Sequence, residues 1–116
     1  MHELSQQPSL LNVSFVPESP CLFLDLRGEL DICTVEDMPR DTYSSRPDLT
    51  TVLVDLGELT FCDGSGLRAL QNFRRTHEAQ GRTVVVVRAT PFVWRLLRLC
   101  GISDRLQSAG PAATAV

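Results

Sequence analysis

The chain has 116 residues, 43% apolar and 22% charged, a length and composition that suit one domain with its own core and exclude a disordered or fibrous chain. No apolar run approaches the roughly 18 residues that cross a bilayer, and the start, Met1 to Pro8, lacks the basic region and apolar core of a signal peptide, so a cytosolic protein without membrane contact is expected. The net charge is only −3, but residues 1–63 sum to −9 and residues 64–116 to +6. That polarity suits a protein partner with complementary patches better than nucleic acid, with solvated faces that happen to sort by half as the plainer explanation.

Leu11, Val13 and Phe15 alternate with Asn12 and Ser14, the period of a half-buried strand. Pro17-Glu18-Ser19-Pro20 forces a turn, and Cys21 to Arg27 follows as a second strand with Leu22, Leu24 and Leu26 on one face. The pair forms an antiparallel hairpin that Gly28 ends. Thr34-Val35-Glu36-Asp37 places a hydroxyl three residues before a carboxylate, the pattern of a helix start, and Pro39 makes that helix short, kinked or resumed beyond it.

Thr51 to Leu56 and Thr83 to Val87 are short, β-branched and apolar on both faces, as interior parallel strands are. Leu67, Leu70, Phe73 and His77 recur between them at three- and four-residue steps, an amphipathic crossover helix stopped by Gly81. Thr90-Pro91 opens a last helix with Phe92, Val93, Leu96, Leu97 and Cys100 toward the core and Gly101 as its stop; Phe92 and Trp94 are read as core residues. Ile102 to Leu106 packs back as a final element, while residues 1–9 and 107–116 are expected to be flexible. The fold class is therefore α/β, one domain over residues 10–106, with a mixed sheet of four or five strands and helices packed against it.

The segment richest in chemistry is Phe61-Cys62-Asp63-Gly64-Ser65-Gly66-Leu67, where a strand hands over to a helix. Asp63 is placed to cap the helix, accepting from amides two and three residues on. Gly64 and Gly66 set no side chain beside the Ser65 hydroxyl, which leaves it approachable by another protein.

Asp63-Gly64-Ser65-Gly66-Leu67 resembles the Asp-x-Ser-Gly-Leu segment of the STAS domain found in bacterial anti-sigma factor antagonists. Gly28-Glu29-Leu30-Asp31, the strand ending Val54-Asp55-Leu56, and the Pro91-to-Gly101 helix followed by Ile102 fall in the same order as in that family. The resemblance spans residues 10–106. It implies a partner-switching module. Unphosphorylated, the domain binds an anti-sigma factor, usually a serine kinase of the ATPase-kinase type, and a sigma factor is released; phosphorylation of Ser65 ends the binding, and a phosphoserine phosphatase resets it. It also implies that Asp31, Asp63, Gly64 and Gly66 lie on the docking surface, although Asp31 and Asp63 have simple capping as an alternative role. Gly64, where many relatives carry Ser, and Pro39, which interrupts the helix after Asp31, depart from the family pattern. A constitutive STAS scaffold or transporter accessory subunit is the alternative.

An enzyme is not expected. The nucleophile elbow of hydrolases needs glycines two before and two after the serine, where this chain has Asp63 and Leu67. His77 lies twelve residues along the same helix from Ser65, roughly 18 Å at the helical rise, too far to act as its base. The chain contains no lysine and so no phosphate-binding loop, and Arg74, Arg75 and Arg82 read as a solvated helix end rather than a nucleic-acid patch. Cys21, Cys33, Cys62 and Cys100 are irregularly spaced with no C-x-x-C pair, so no metal or cofactor is expected. Cys62 and Cys100, each closing an element, are either two buried thiols or a redox pair beside the Ser65 loop.

Overall fold

The computed structural model describes residues 10–101; the expected element over 102–106 and the expected free ends lie outside them. Strands β1 (Leu11–Glu18), β2 (Cys21–Leu30), β3 (Thr51–Cys62) and β4 (Thr83–Ala89) form one sheet in that spatial order, with helices α1 (Gly64–Ala79) and α2 (Pro91–Leu99). β1 and β2 pair antiparallel as the expected hairpin, joined across a cis Ser19–Pro20 bond, while β2–β3 and β3–β4 are parallel. The sheet is thus mixed and four-stranded among the described residues.

Alternation decides which side is covered. Leu22, Leu24 and Leu26 of β2, Val52, Val54 and Leu56 of β3, and Val84 and Val86 of β4 are buried, and they share one core with Leu70 and Phe73 of α1 and Val93 and Leu97 of α2. Their in-between neighbours Leu53, Val85 and Val87 are half-buried on the opposite face. Thr90 caps α2 with its hydroxyl accepting from the Val93 amide at 3.2 Å, and Pro91 supplies the first-turn residue, as its sequence signature requires.

Four expectations change. β2 does not end at Gly28: that residue takes φ +104° where a side chain would strike the Leu10 carbonyl, and the strand runs on so that Glu29 pairs with Phe61 and Leu30 with Cys62. β3 is lengthened with it. The helix expected after Thr34 is short, a single 3₁₀ turn, Val35–Asp37, but the expected side-chain cap is absent: the Thr34 hydroxyl donates to the Glu29 carbonyl at 2.8 Å and accepts from the Asp31 amide. On α2, Trp94 is buried but Phe92 and Cys100 are exposed.

The fourth change concerns Arg82, which is no solvated helix end but 5% exposed. Its guanidinium donates to the carbonyls of Leu49, Thr42, Tyr43 and Arg46 and to His77 Nδ1 at 2.9 Å. One planar fork therefore fixes a stretch of chain, 38–50, that has no helix or strand to satisfy its carbonyls. Because an arginine can only donate, His77 Nδ1 must be unprotonated; burial and the adjacent guanidinium push its pKa down to about 4. The hydrophobic end of this region is a T-shaped contact of Phe15 with Tyr43 and with Phe73.

Candidate functional site

Two loops meet where β2 and β3 end. The first, 31–34, follows β2; the second is the start of α1. Asp31 shapes the first by accepting at Oδ1 from the amides of Cys33 at 2.9 Å and Thr34 at 3.2 Å, an Asx turn that holds the chain as it leaves the sheet. Asp63 shapes the second: its Oδ1 accepts from the Gly66 amide at 2.9 Å, a helix cap in the extended conformation that cap residues adopt. The other oxygen of Asp63 accepts from the Ile32 amide at 3.3 Å and so ties the two loops together. The spacing of Asp63 to Gly66 foretells the cap; the bond to Ile32, thirty-one residues away, has no local signal.

Ser65 sits in the first turn of α1, half-buried. Gly64 beside it is exposed. Gly66 faces inward instead: a side chain there would run into the Leu30 carbonyl and come within 2.8 Å of Cys62 Sγ, so its bareness serves the packing of the helix start on the end of β2. The Arg68 guanidinium folds back over this turn, with one nitrogen 3.5 Å from Ser65 Oγ. Arg68 stands three residues after Ser65, neighbours on a helix face, and that spacing was the available signal for it.

Apolar side chains are exposed on the segments that carry this polar centre. Ile32 is 71% exposed on the first loop, and Phe61, on the residue before Cys62, stacks on Phe92 with ring centroids 6.3 Å apart. Exposed aromatic and aliphatic side chains beside fixed polar groups recur in protein-binding patches.

Cys62 and Cys100 are both free thiols, the first buried and the second exposed. Burial, with smaller contributions from Asp63 and Cys100, pushes the Cys62 thiol up to about 12, which leaves it protonated at neutral pH and a poor nucleophile. His77 is committed to Arg82 inside the fold. Among the described residues no three of His, Cys, Asp and Glu are grouped to hold a metal ion, and no helix is long and apolar enough to cross a membrane.

A family model described as "Mlab, STAS domain" matches residues 14–108. No curated protein sequence matches the chain. Among solved structures, the anti-sigma factor antagonist SpoIIAA in its unphosphorylated form is similar at 23% identity, over 88% of this chain and 90% of that one, with a TM-score of 0.65. The phosphorylated form of the Bacillus cell fate determinant SpoIIAA is similar at 21% identity, over 88% and 93%, with a TM-score of 0.62. A sulfate transporter family protein from Wolinella succinogenes is similar at 14% identity, over 86% of each chain, with a TM-score of 0.59. At these identities the likeness is one of fold.

Proposed function

The chain belongs to the STAS domain family, and we propose that it acts as an anti-sigma factor antagonist. In this reading it binds an anti-sigma factor of the serine-kinase type in the cytosol, through the surface around Ser65, and phosphorylation of Ser65 ends the binding. The observation that carries it is the placement of one hydroxyl at the turn where two aspartate-organised loops are joined by the Asp63–Ile32 bond, with Ile32 exposed on the first loop and Phe61, stacked on Phe92, exposed just before the second. The charged and polar groups there are held by hydrogen bonds before any partner arrives, which limits the entropy lost on docking.

The switch follows from charge. The kinase transfers the γ-phosphoryl group of ATP to Ser65 Oγ; the bond to the β-phosphate breaks, ADP leaves and the hydroxyl proton is released. The side chain gains close to two negative charges at pH 7. At the start of α1 the dianion meets the positive end of the helix dipole, so the fold tolerates it. A partner surface made to cover a neutral hydroxyl and apolar neighbours would have to desolvate that dianion, on the order of several kcal/mol. A non-enzymatic role agrees with His77, the one described histidine, being buried and neutral on Arg82, where it serves no hydroxyl as a base.

The likeness to a transporter-family STAS fold favours a second reading, a constitutive scaffold within a larger assembly. Phosphorylation separates the two. Incubation with ATP and the anti-sigma kinases of the same cell should label Ser65 by mass spectrometry, Ser65→Ala should bind the partner yet resist labelling, and Ser65→Asp should weaken binding by roughly 100-fold or more with an unchanged circular dichroism spectrum. An Asp variant that binds like wild type would remove the switch, and absence of label would favour the scaffold.

A further inference from the structure

We infer that Arg68 is the phosphate-holding residue of the modified state, its guanidinium clamping the phosphate on Ser65. This rests on the reading of Ser65 as the modified hydroxyl. Most arginines whose contacts are defined are already engaged: Arg27, Arg46, Arg74 and Arg88 pair with Asp25, Asp48, Glu78 and Asp55, and Arg82 is buried on main-chain carbonyls. Arg68 differs. Its side chain is exposed, forms no ion pair among the described residues, and doubles back along α1 toward the first turn. One terminal nitrogen lies 3.5 Å from Ser65 Oγ, and the other would stand 4.0 Å from a Cβ built on Gly64. Two guanidinium nitrogens thus overhang the surface from which a phosphate on Ser65 would project, and a planar guanidinium matches phosphate oxygens two at a time.

In the unmodified protein the Arg68–Ser65 contact is long and weak for a neutral acceptor. Phosphate adds three acceptor oxygens and a charge of opposite sign on the guanidinium side. The charged groups near it are Asp63, which caps the same turn, and Asp31, on the loop tied to that turn, both of which oppose a second ionisation, and Arg68, which favours it; the Cys62 thiol is neutral. A free phosphoserine loses its second proton at about pH 6. Arg68 lowers the second pKa relative to an uncharged side chain at that position, so more of the off state stays dianionic when the surroundings acidify. It also fixes the phosphate against α1 rather than leaving it to swing toward an approaching partner.

The test uses the full chain with phosphoserine installed at position 65 during translation, so that no kinase is needed, and follows the phosphate by 31P NMR from pH 4 to 8. Arg68→Gln should raise the second pKa by roughly half a unit, about threefold in proton affinity, the size expected of an exposed ion pair. Arg68→Lys should recover part of the shift, and Arg75→Gln, two turns further along α1, should leave it in place. The helix-start amides are the same in every variant, so the difference belongs to the side chain. It should fade in 1 M salt, where the screening length is about 3 Å. Superimposable titrations for wild type and Arg68→Gln at low salt would overturn the inference. Absence of kinase labelling on Ser65 with the Arg68 shift intact would instead end the proposed function and leave the Arg68 contact standing.

Discussion

Polar side chains organise two regions off the sheet, the exposed exits at the ends of β2 and β3 and the buried segment 38–50, and they do so in opposite ways. At 31–34 and 63–66, short carboxylates gather the amides of loops that stay at the surface, and the apolar residues beside them, Ile32 and Phe61, remain exposed. At 38–50 a long cation reaches in from just beyond α1 and gathers carbonyls, and both Arg82 and Leu49 are buried there. Local amides capped by local side chains leave a surface free to be covered by something else. Distant carbonyls collected by one buried charge leave nothing free, because every donor of the fork is spent on the fold. The contrast marks the first region as one that can serve a partner and the second as one that serves the fold.

That contrast can be broken most forcefully at Arg82. Truncation to Ala takes the guanidinium donor from the carbonyls of Thr42 and Leu49, leaves those of Tyr43 and Arg46 with only the turn amides of Arg46 and Leu49, and removes the partner of His77, and it should destabilise the domain by about 3–5 kcal/mol in urea unfolding. Arg68→Gln, on the exposed exit, should change stability by less than about 0.5 kcal/mol. Equal losses would mean that the two arginines do not differ in kind.

His77 sharpens the same comparison through pH. Its folded pKa of about 4 lies below the ordinary value of 6.5, so the unfolded chain takes up the proton first. The stability that depends on a neutral His77 is fully present above pH 6.5 and falls as pH drops through the folded pKa near 4. Between those limits the slope should approach about 1.4 kcal/mol per pH unit. Replacing His77 by Gln, which offers Arg82 an acceptor that does not titrate, should flatten that part of the stability profile. A profile as steep in the variant as in wild type would place the acid sensitivity elsewhere.

How much of this could be read from the chain depends on how far apart the partners are. β-branched runs gave β3 and β4, and the three- and four-residue steps from Leu67 to His77 gave α1, because those signals are periodic and local. Asp63 as a cap was legible for the same reason. Two failures involve a polar group that bonds elsewhere than its local pattern suggests: Thr34 to the Glu29 carbonyl and Arg82 to carbonyls 33 to 40 residues away. Gly28 and Gly66 look like loop residues in sequence, yet each is bare because another segment's carbonyl, that of Leu10 or Leu30, presses against it. Phe92 matched a helical stripe and is exposed, since its stacking partner Phe61 lies at the rim of the sheet.

The most local of the expected effects tests whether the exposed exit is one unit or two. Asp63 holds α1 through the Gly66 amide and the 31–34 loop through the Ile32 amide. Asp63→Ala should cost about 1 kcal/mol, the loss of one helix cap, too little to unfold the domain and well below the loss at Arg82. Its distinctive mark is local. Hydrogen exchange at the Ile32 amide should quicken by about tenfold, while the Cys33 and Thr34 amides, held by Asp31, keep their protection. Should Ile32 exchange at the wild-type rate, the two loops are independent, and the docking surface proposed around Ser65 would be two separate footholds rather than one.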